Sequence, residues 1–280
     1  MHRSVKTRSK MISLFLSGAG LALGGGLLWT IATSMVPTKE DLRLLSGQTP
    51  EPPRLTRLFS PLMPAYARTE LLQENDPGLV SVVVDNFDDI PLDGFPAAWR
   101  AWRGDDDLAR NLYSIQEEDG NRYLRADDDG TSIIIRKRMK EWNSREYPIL
   151  SWRWRARVLP EDGDERIGSK NDSAVAVYVV LDQNFFRIPK TLKYVWSTTL
   201  PIGTRHRRDG IGRPNVIVLQ SGAEKVGQWV TESVNVYEDF VRTFGKAPPK
   251  SSVGIGVLTD GNATHTDSQG DYDDFVIHLR

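Results

Sequence analysis

The sequence predicts a mainly β protein: a jelly-roll-type antiparallel β-sandwich with one marked helix, preceded by an N-terminal transmembrane helix and linker. Three observations carry this. From residue 79 onward, short runs rich in Val, Ile, Tyr and Trp alternate with Gly, Pro and Asp clusters, the pattern of short strands joined by turns. Within that region one segment carries both a start and a stop signal for a helix. Ahead of it, residues 11–36 contain no charged side chain, and residues 37–78 are rich in proline.

The chain of 280 residues opens on a basic tail, residues 1–10, with Arg3, Lys6, Arg8 and Lys10 and no acid. Residues 11–36 are long enough to cross a bilayer core, which takes about 20 apolar residues in a helix. Basic residues before such a segment stay in the cytoplasm, so the rest of the chain is expected on the far side. Ala32 and Ser34 offer a cleavage site after Ser34, which would make the segment a signal peptide instead of an anchor. In residues 37–78, Pro37, Pro50, Pro52, Pro53, Pro61, Pro64 and Pro77 break regular structure, as expected of a linker.

Strands are predicted at 80–85, 123–126, 132–138, 149–158, 174–181, 192–197, 215–220, 253–259 and 273–279. The marked helix lies in NVYEDFVRTFG. Asn235 can cap its start with Glu238 three residues on, Val236, Phe240 and Phe244 share a face, and Gly245 ends it ahead of Pro248 and Pro249. In the strand SWRWRARV, alternation puts Trp152, Trp154, Ala156 and Val158 on one side and Arg153, Arg155 and Arg157 on the other. The Trp side is expected in the core. The Arg side reads either as a solvated face with partner carboxylates or as the floor of a groove for an anionic or polyhydroxylated ligand, which the planar guanidinium fork suits.

Bulk charge narrows the function. The net charge is -1; without the four bases of the tail, 32 basic side chains stand against 37 acids. A net-acidic domain is not expected to bind nucleic acid. Cysteine is absent, so there is neither a disulfide nor a thiolate metal site. No GxSxG or HExxH pattern occurs. Arg205-His206-Arg207-Arg208 reads as a solvated basic loop, and His265, between Asp260 and Asp267, is the best-placed acid or base.

The segments SWRWR, DSAVAVYVVLD (172–182), LKYVWST (192–198), QSGAEKVGQW (220–229), NVYEDFVRTFG and VGIGVLTDGNATH (253–265) resemble, in the same order, the bacterial domain-of-unknown-function family numbered 3047. The resemblance spans residues 80–280 and implies an exported domain. Where that family has a segment like TDTDNT, this chain has Thr259-Asp260-Gly261-Asn262-Ala263-Thr264, one acid fewer. A looser resemblance is to galactose-binding-like and other jelly-roll carbohydrate modules. These open on an FDD strand and close on a paired YDDF strand, here Phe87-Asp88-Asp89 and Tyr272-Asp273-Asp274-Phe275. It implies structural calcium near the joined ends, with Asp88 and Asp273 as candidate ligands.

The expected function is therefore non-catalytic binding of a glycan or other anionic envelope component, through Arg153, Arg155, Asp172, Trp196, Asp260 and His265. Asp172 is expected to hold an arginine and Trp196 to stack on a sugar. The domain is expected in the bacterial cell envelope, held at the inner membrane by the N-terminal helix or released to the periplasm. A polysaccharide-acting enzyme using Asp172, Asp260 and Asp271, and a scaffold docking a protein through its Arg face, are the alternatives.

Overall fold

The structure, a computed structural model, describes residues 80–279. The basic tail, the membrane segment and the proline-rich linker lie outside the described residues. Among the described residues no helix is long and apolar enough to cross a membrane.

Two sheets make a sandwich. One, of six strands, runs β11 (Val230–Asn235), β6 (Ile149–Val158), β13 (Ser268–His278), β4 (Asn121–Asp128) and β3 (Tyr113–Glu118), with β1 (Ser81–Asp85) also paired to β13. The other, of seven, runs β2 (Trp99–Ala101), β5 (Ile135–Arg138), β12 (Gly254–Asp260), β7 (Ser173–Gln183), β8 (Pro189–Ser197), β10 (Asn215–Ser221) and β9 (Arg205–Arg207). The first and last strands pair as expected, with Asp85 opposite Phe275. A bulge between Asp273 and Val276 lets β13 change neighbours, from β4 before it to β1 after it. One pairing departs from the antiparallel expectation: β8 and β10 are parallel, because residues 198–214 return the chain to the start of β8 before β10 begins.

Predicted strand 149–158 coincides with β6, and most others agree within a few residues. The sequence reading missed β2, β3, β9 and β11, and a short helix α1 (Asp106–Leu112) whose Asp105 accepts the Leu108 amide at 2.9 Å. The marked helix is α2 (Val236–Phe244). Asn235 accepts the Glu238 amide at 3.0 Å, Gly245 takes the left-handed conformation at φ 69°, and Val236 and Phe240 are buried.

Between the sheets, Trp152, Trp154 and Tyr272 from one side meet Val175, Val177, Tyr194 and Trp196 from the other. Each such fully buried side chain contributes about 1.5–3 kcal/mol relative to exposure. Strand β7 is buried along Ser173–Leu181 on both faces. Its outward residues Ala176 and Tyr178 join Val195, Val216, Val218 and Leu258 in a second apolar cluster on the outside of the seven-stranded sheet. A continuous apolar run such as AVAVYVVL suits a strand covered on both sides, and that second cover positions the site described below.

Candidate functional site

The arginines of β6 face away from the core, as alternation requires, but they are not a groove floor. In register, Arg155 on β6 and Arg125 on β4 both lie opposite Asp271 of the intervening β13, and Arg153 lies opposite Asp273. Asp271 is fully buried. It accepts from Arg155 Nε at 2.7 Å, from Arg157 Nε at 2.6 Å and from Arg125. Asp273 accepts from Arg153 Nη2 at 2.6 Å and Asn121 Nδ2 at 2.8 Å. Burial pushes Asp273 up to about 6 against the pull of Asn121 and Arg153. The Arg155 guanidinium also pairs with Glu118 at 2.8 Å and stacks 4.5 Å from the Trp229 ring. Cross-strand pairing with carboxylates and an aromatic lid thus occupy this face.

Other expectations are corrected for equally local reasons. Asp172 touches no arginine; it is buried and accepts from the Ala263 amide at 3.2 Å, the Thr264 amide at 2.6 Å and Thr264 Oγ1 at 2.7 Å, which pins the loop after β12. His265 is exposed on that loop, at φ 58°. Trp196 packs between the sheets and donates to the Gly222 carbonyl at 3.0 Å, so its face is closed to a sugar. Asp88 and Asp273 do not form one site: Asp88 is exposed and held by Asn86 at 2.7 Å, whereas Asp273 is saturated by Arg153 and Asn121. Among the described residues no group of three His, Cys, Asp or Glu side chains is placed to hold a metal ion.

Asp260 leads elsewhere. It ends β12 opposite Ser173 and accepts from Ser132 Oγ at 2.8 Å. It belongs to the floor of a groove on the outside of the seven-stranded sheet, with Tyr178 of β7 and Lys193 of β8, which lie opposite each other in register. Lys193 is 2% exposed; its Nζ donates to Ser173 Oγ at 3.1 Å and lies 5.6 Å from the Tyr178 ring centre. Glu165, fully buried in the segment joining β6 to β7, accepts from Ser173 Oγ at 2.9 Å and Ser197 Oγ at 2.6 Å. Burial works against the charge on Lys193, yet Tyr178, Glu165 and Asp260 hold its pKa above the ordinary value. Burial pushes Asp260 up to about 6, with Asp172 adding to the rise and Lys193 opposing it.

Above this floor lies a cavity of about 780 Å³, walled by Trp102, Arg103, Arg187, Arg208 and Arg213. A second, of about 670 Å³, shares Trp102 and Arg187 and adds Arg136, Arg138 and Lys140. The carboxylate on its wall, Asp182, is already paired with Lys190 at 2.8 Å and Lys246 at 3.2 Å. Among the described residues, none of Arg103, Arg136, Arg138, Arg187, Arg208, Arg213 or Lys193 forms an ion pair. Arg136 lies over the Trp102 ring at 4.8 Å. Burial and the neighbouring Arg138 lower its pKa, and burial and Arg213 lower that of Arg208. The groove therefore pairs a wall of uncompensated positive charge with a floor of hydroxyl and carboxylate groups. Of Arg153, Arg155, Asp172, Trp196, Asp260 and His265, expected from sequence to bind the ligand, only Asp260 lies in it. The basic loop 205–208, read as solvated, contributes Arg208 to its wall.

Among solved structures, the chain is similar to a family 11 carbohydrate-binding module of a cellulosomal cellulase of Clostridium thermocellum (9% identity over 72% of this chain and 95% of that one, TM-score 0.37). It is likewise similar to a family 30 carbohydrate-binding module of another cellulosomal cellulase of that organism (11%, 71% and 96%, TM-score 0.40). No curated protein matches it. A family model does, over residues 97–276, which take in the whole groove and every strand but β1 and the last two residues of β13: the chain belongs to the family described as Protein of unknown function (DUF3047).

Proposed function

We propose that the groove on the outside of the seven-stranded sheet binds an acidic glycan. The observation that carries this is the wall of arginines without carboxylate partners over a floor that both donates and accepts hydrogen bonds. Guanidinium forks take carboxylates and sulfates in pairs of hydrogen bonds. Asp260 and Tyr178 suit hydroxyls, which a phosphate backbone does not offer. Single-stranded nucleic acid is usually held on successive open aromatic faces; here Tyr178 is buried and Trp102 already carries Arg136. The net-acidic total conceals this local basic surface.

Calorimetric titration of the protein with a polyuronate, with a neutral polysaccharide and with single-stranded DNA tests the reading. Binding to the polyuronate that weakens with salt, and little to the other two, is expected. Equal binding to the neutral polymer, or tighter binding to DNA, overturns it. A second reading, chemistry on the same glycan, is favoured by the clustering of Tyr178, Lys193 and an Asp260 of raised pKa in one cavity. New chain ends in the incubated polyuronate would establish it, and an intact polymer leaves binding alone.

The same proposal places the domain outside the cytoplasm, supported by the uncharged run 11–36 behind four bases. A reporter that works only outside the cytoplasm, fused after Arg280, should be active; a stably expressed but silent fusion removes this part.

A further inference from the structure

At one end of the seven-stranded sheet, two turns stand together and expose apolar side chains that pack against little else. The β7–β8 turn presents Phe185 and Phe186, 93% and 79% exposed, and the β9–β10 turn presents Ile211, 85% exposed. The first turn is held in shape: Asn184 accepts from the Arg187 amide through its carbonyl at 2.9 Å and from the Ile188 amide through its side chain at 2.8 Å. The second is tied by Arg207, which donates to the carbonyls of Gly210 at 3.2 Å and Arg213 at 3.4 Å. Gly212 packs beside Ile188, so the turns form one tip. Arg187, Arg207, Arg208 and Arg213 lie in or beside these two turns, whose one carboxylate is Asp209; Asp182, just before the first turn, is paired with lysines.

We propose that this tip docks on an anionic lipid surface, with Phe185, Phe186 and Ile211 entering the interfacial layer and the arginines meeting the headgroups. Exposed apolar side chains on turns that also carry cations fit the boundary between acyl chains and anionic headgroups. The two phenyl rings stand at 82° with centres 5.5 Å apart, so they offer no common flat platform to a sugar. A second copy seated by two-fold symmetry would bring four guanidiniums against the same four. This inference goes beyond the glycan reading: Arg187, Arg208, Ile211 and Arg213 also line the groove, whereas Phe185 and Phe186 lie outside it, and the lipid reading rests on those two rings.

The chain contains no cysteine, so one introduced thiol gives one labelled site. The full-length protein would carry a polarity-sensitive fluorophore at Phe186→Cys or at Glu224→Cys. Glu224 follows the far end of β10, whose near end adjoins Arg213, and serves as the distant control. Vesicles of phosphatidylcholine with phosphatidylglycerol should shift the emission at position 186 to the blue and allow quenching by brominated acyl chains, with no change at 224. Phosphatidylcholine alone should do far less, and salt should weaken the effect. Adding Phe185→Ser should weaken vesicle binding roughly tenfold, the loss of one phenyl from the apolar layer. A label at 186 that stays in water on added vesicles, or equal responses at 186 and 224, overturns the proposal. So does a lipid-free shift that grows with protein concentration, which assigns the tip to a second copy. Polyuronate titration of the same preparation reads the groove separately.

Discussion

Each sheet of this sandwich turns an arginine-rich face outward, and the two faces differ in what opposes each guanidinium. On the six-stranded sheet, Arg125, Arg153, Arg155 and Arg157 meet Asp271 and Asp273 across the strands, with Trp229 stacked on top. On the seven-stranded sheet, Arg136, Arg138, Arg187, Arg208 and Arg213 surround two joined cavities and meet no carboxylate among the described residues. The first arrangement is a structural device, because every charge it buries is answered within the fold. The second leaves positive charge to be answered from outside. Arginine content alone therefore says nothing about function; the ledger of partners does.

Breaking the closed face should have the largest effect. Asp271→Asn keeps the shape of the side chain and removes the charge on which three guanidiniums converge. Removing one partner of a buried ion pair costs about 3–5 kcal/mol. A large fall in melting temperature, or loss of soluble protein, is expected. A melting temperature within about a degree of the parent's would show that the network is not structural.

The open face should respond in binding. Arg208→Ala should leave the melting temperature nearly unchanged and weaken polyuronate binding by roughly one to two powers of ten, the effect of a lost charge-assisted hydrogen bond worth about 1.5–3 kcal/mol. The matching change on the closed face, Arg155→Ala, should do the reverse. Calorimetry and melting curves on both variants make the comparison directly, and a pair of variants with the same profile would erase the distinction between the faces.

Each sheet also carries acids whose pKa burial raises, and they give a smaller effect. Asp260 on the groove floor and Asp273 on the closed face are each pushed up to about 6, and Glu232 on β11, which accepts from Gln220 at 2.8 Å, up to about 7. Unfolded carboxyls titrate near pH 4. Between about pH 4 and 7 these three groups therefore bind more protons in the folded chain than in the unfolded one, and their contribution to stability falls as pH rises through that window, opposed by His278, whose pKa burial lowers. The protein should melt at a higher temperature at pH 5 than at pH 7.5, by roughly 1–3 kcal/mol in stability. Glu232→Gln should flatten the upper part of the profile; a stability that rises with pH across this range contradicts the assignment.

The closed face was half legible in sequence. RWRAR shows its arginines by alternation, and the same alternation in GDYDDF sets Asp271 and Asp273 on either side of core Tyr272, as Arg153 and Arg155 flank core Trp154. Matching those patterns identifies the partner carboxylates; Asp172, although it directly precedes the next strand β7, is not one of them. Helix α2 was legible because its cap and stop are local. Strands β3 and β11 were not, because edge strands such as VTESVN expose polar residues and lose the apolar pattern. Trp196 was misjudged because alternation does not say which side of a strand covered on both faces is the core. The groove was hardest of all: its bases come from residue 103, 136–140, 187 and 208–213, and their meeting above Tyr178 is a property of the tertiary fold alone.

The smallest expected effect is also the one that separates the faces by sign. Arg208 and Arg213 lie close enough that the charge of one lowers the pKa of the other, so the folded state holds two like charges together that the unfolded chain lets apart. Arg213 is exposed and forms no ion pair among the described residues, and it is the backbone carbonyl of Arg213, kept by any substitution, that accepts from Arg207. Arg213→Gln therefore removes repulsion and little else. Surface changes of this kind stay within about 0.5 kcal/mol, and here the direction should be stabilising, while polyuronate binding weakens and its dependence on salt becomes shallower. Stability gained as binding is lost marks a residue kept for a ligand at a cost to the fold. Arg157→Gln on the closed face should instead lower stability, because it takes a donor from buried Asp271. Melting curves on the two variants at low ionic strength decide the matter: a loss of stability from Arg213→Gln equal to that from Arg157→Gln would mean that the groove arginines, too, are answered within the fold.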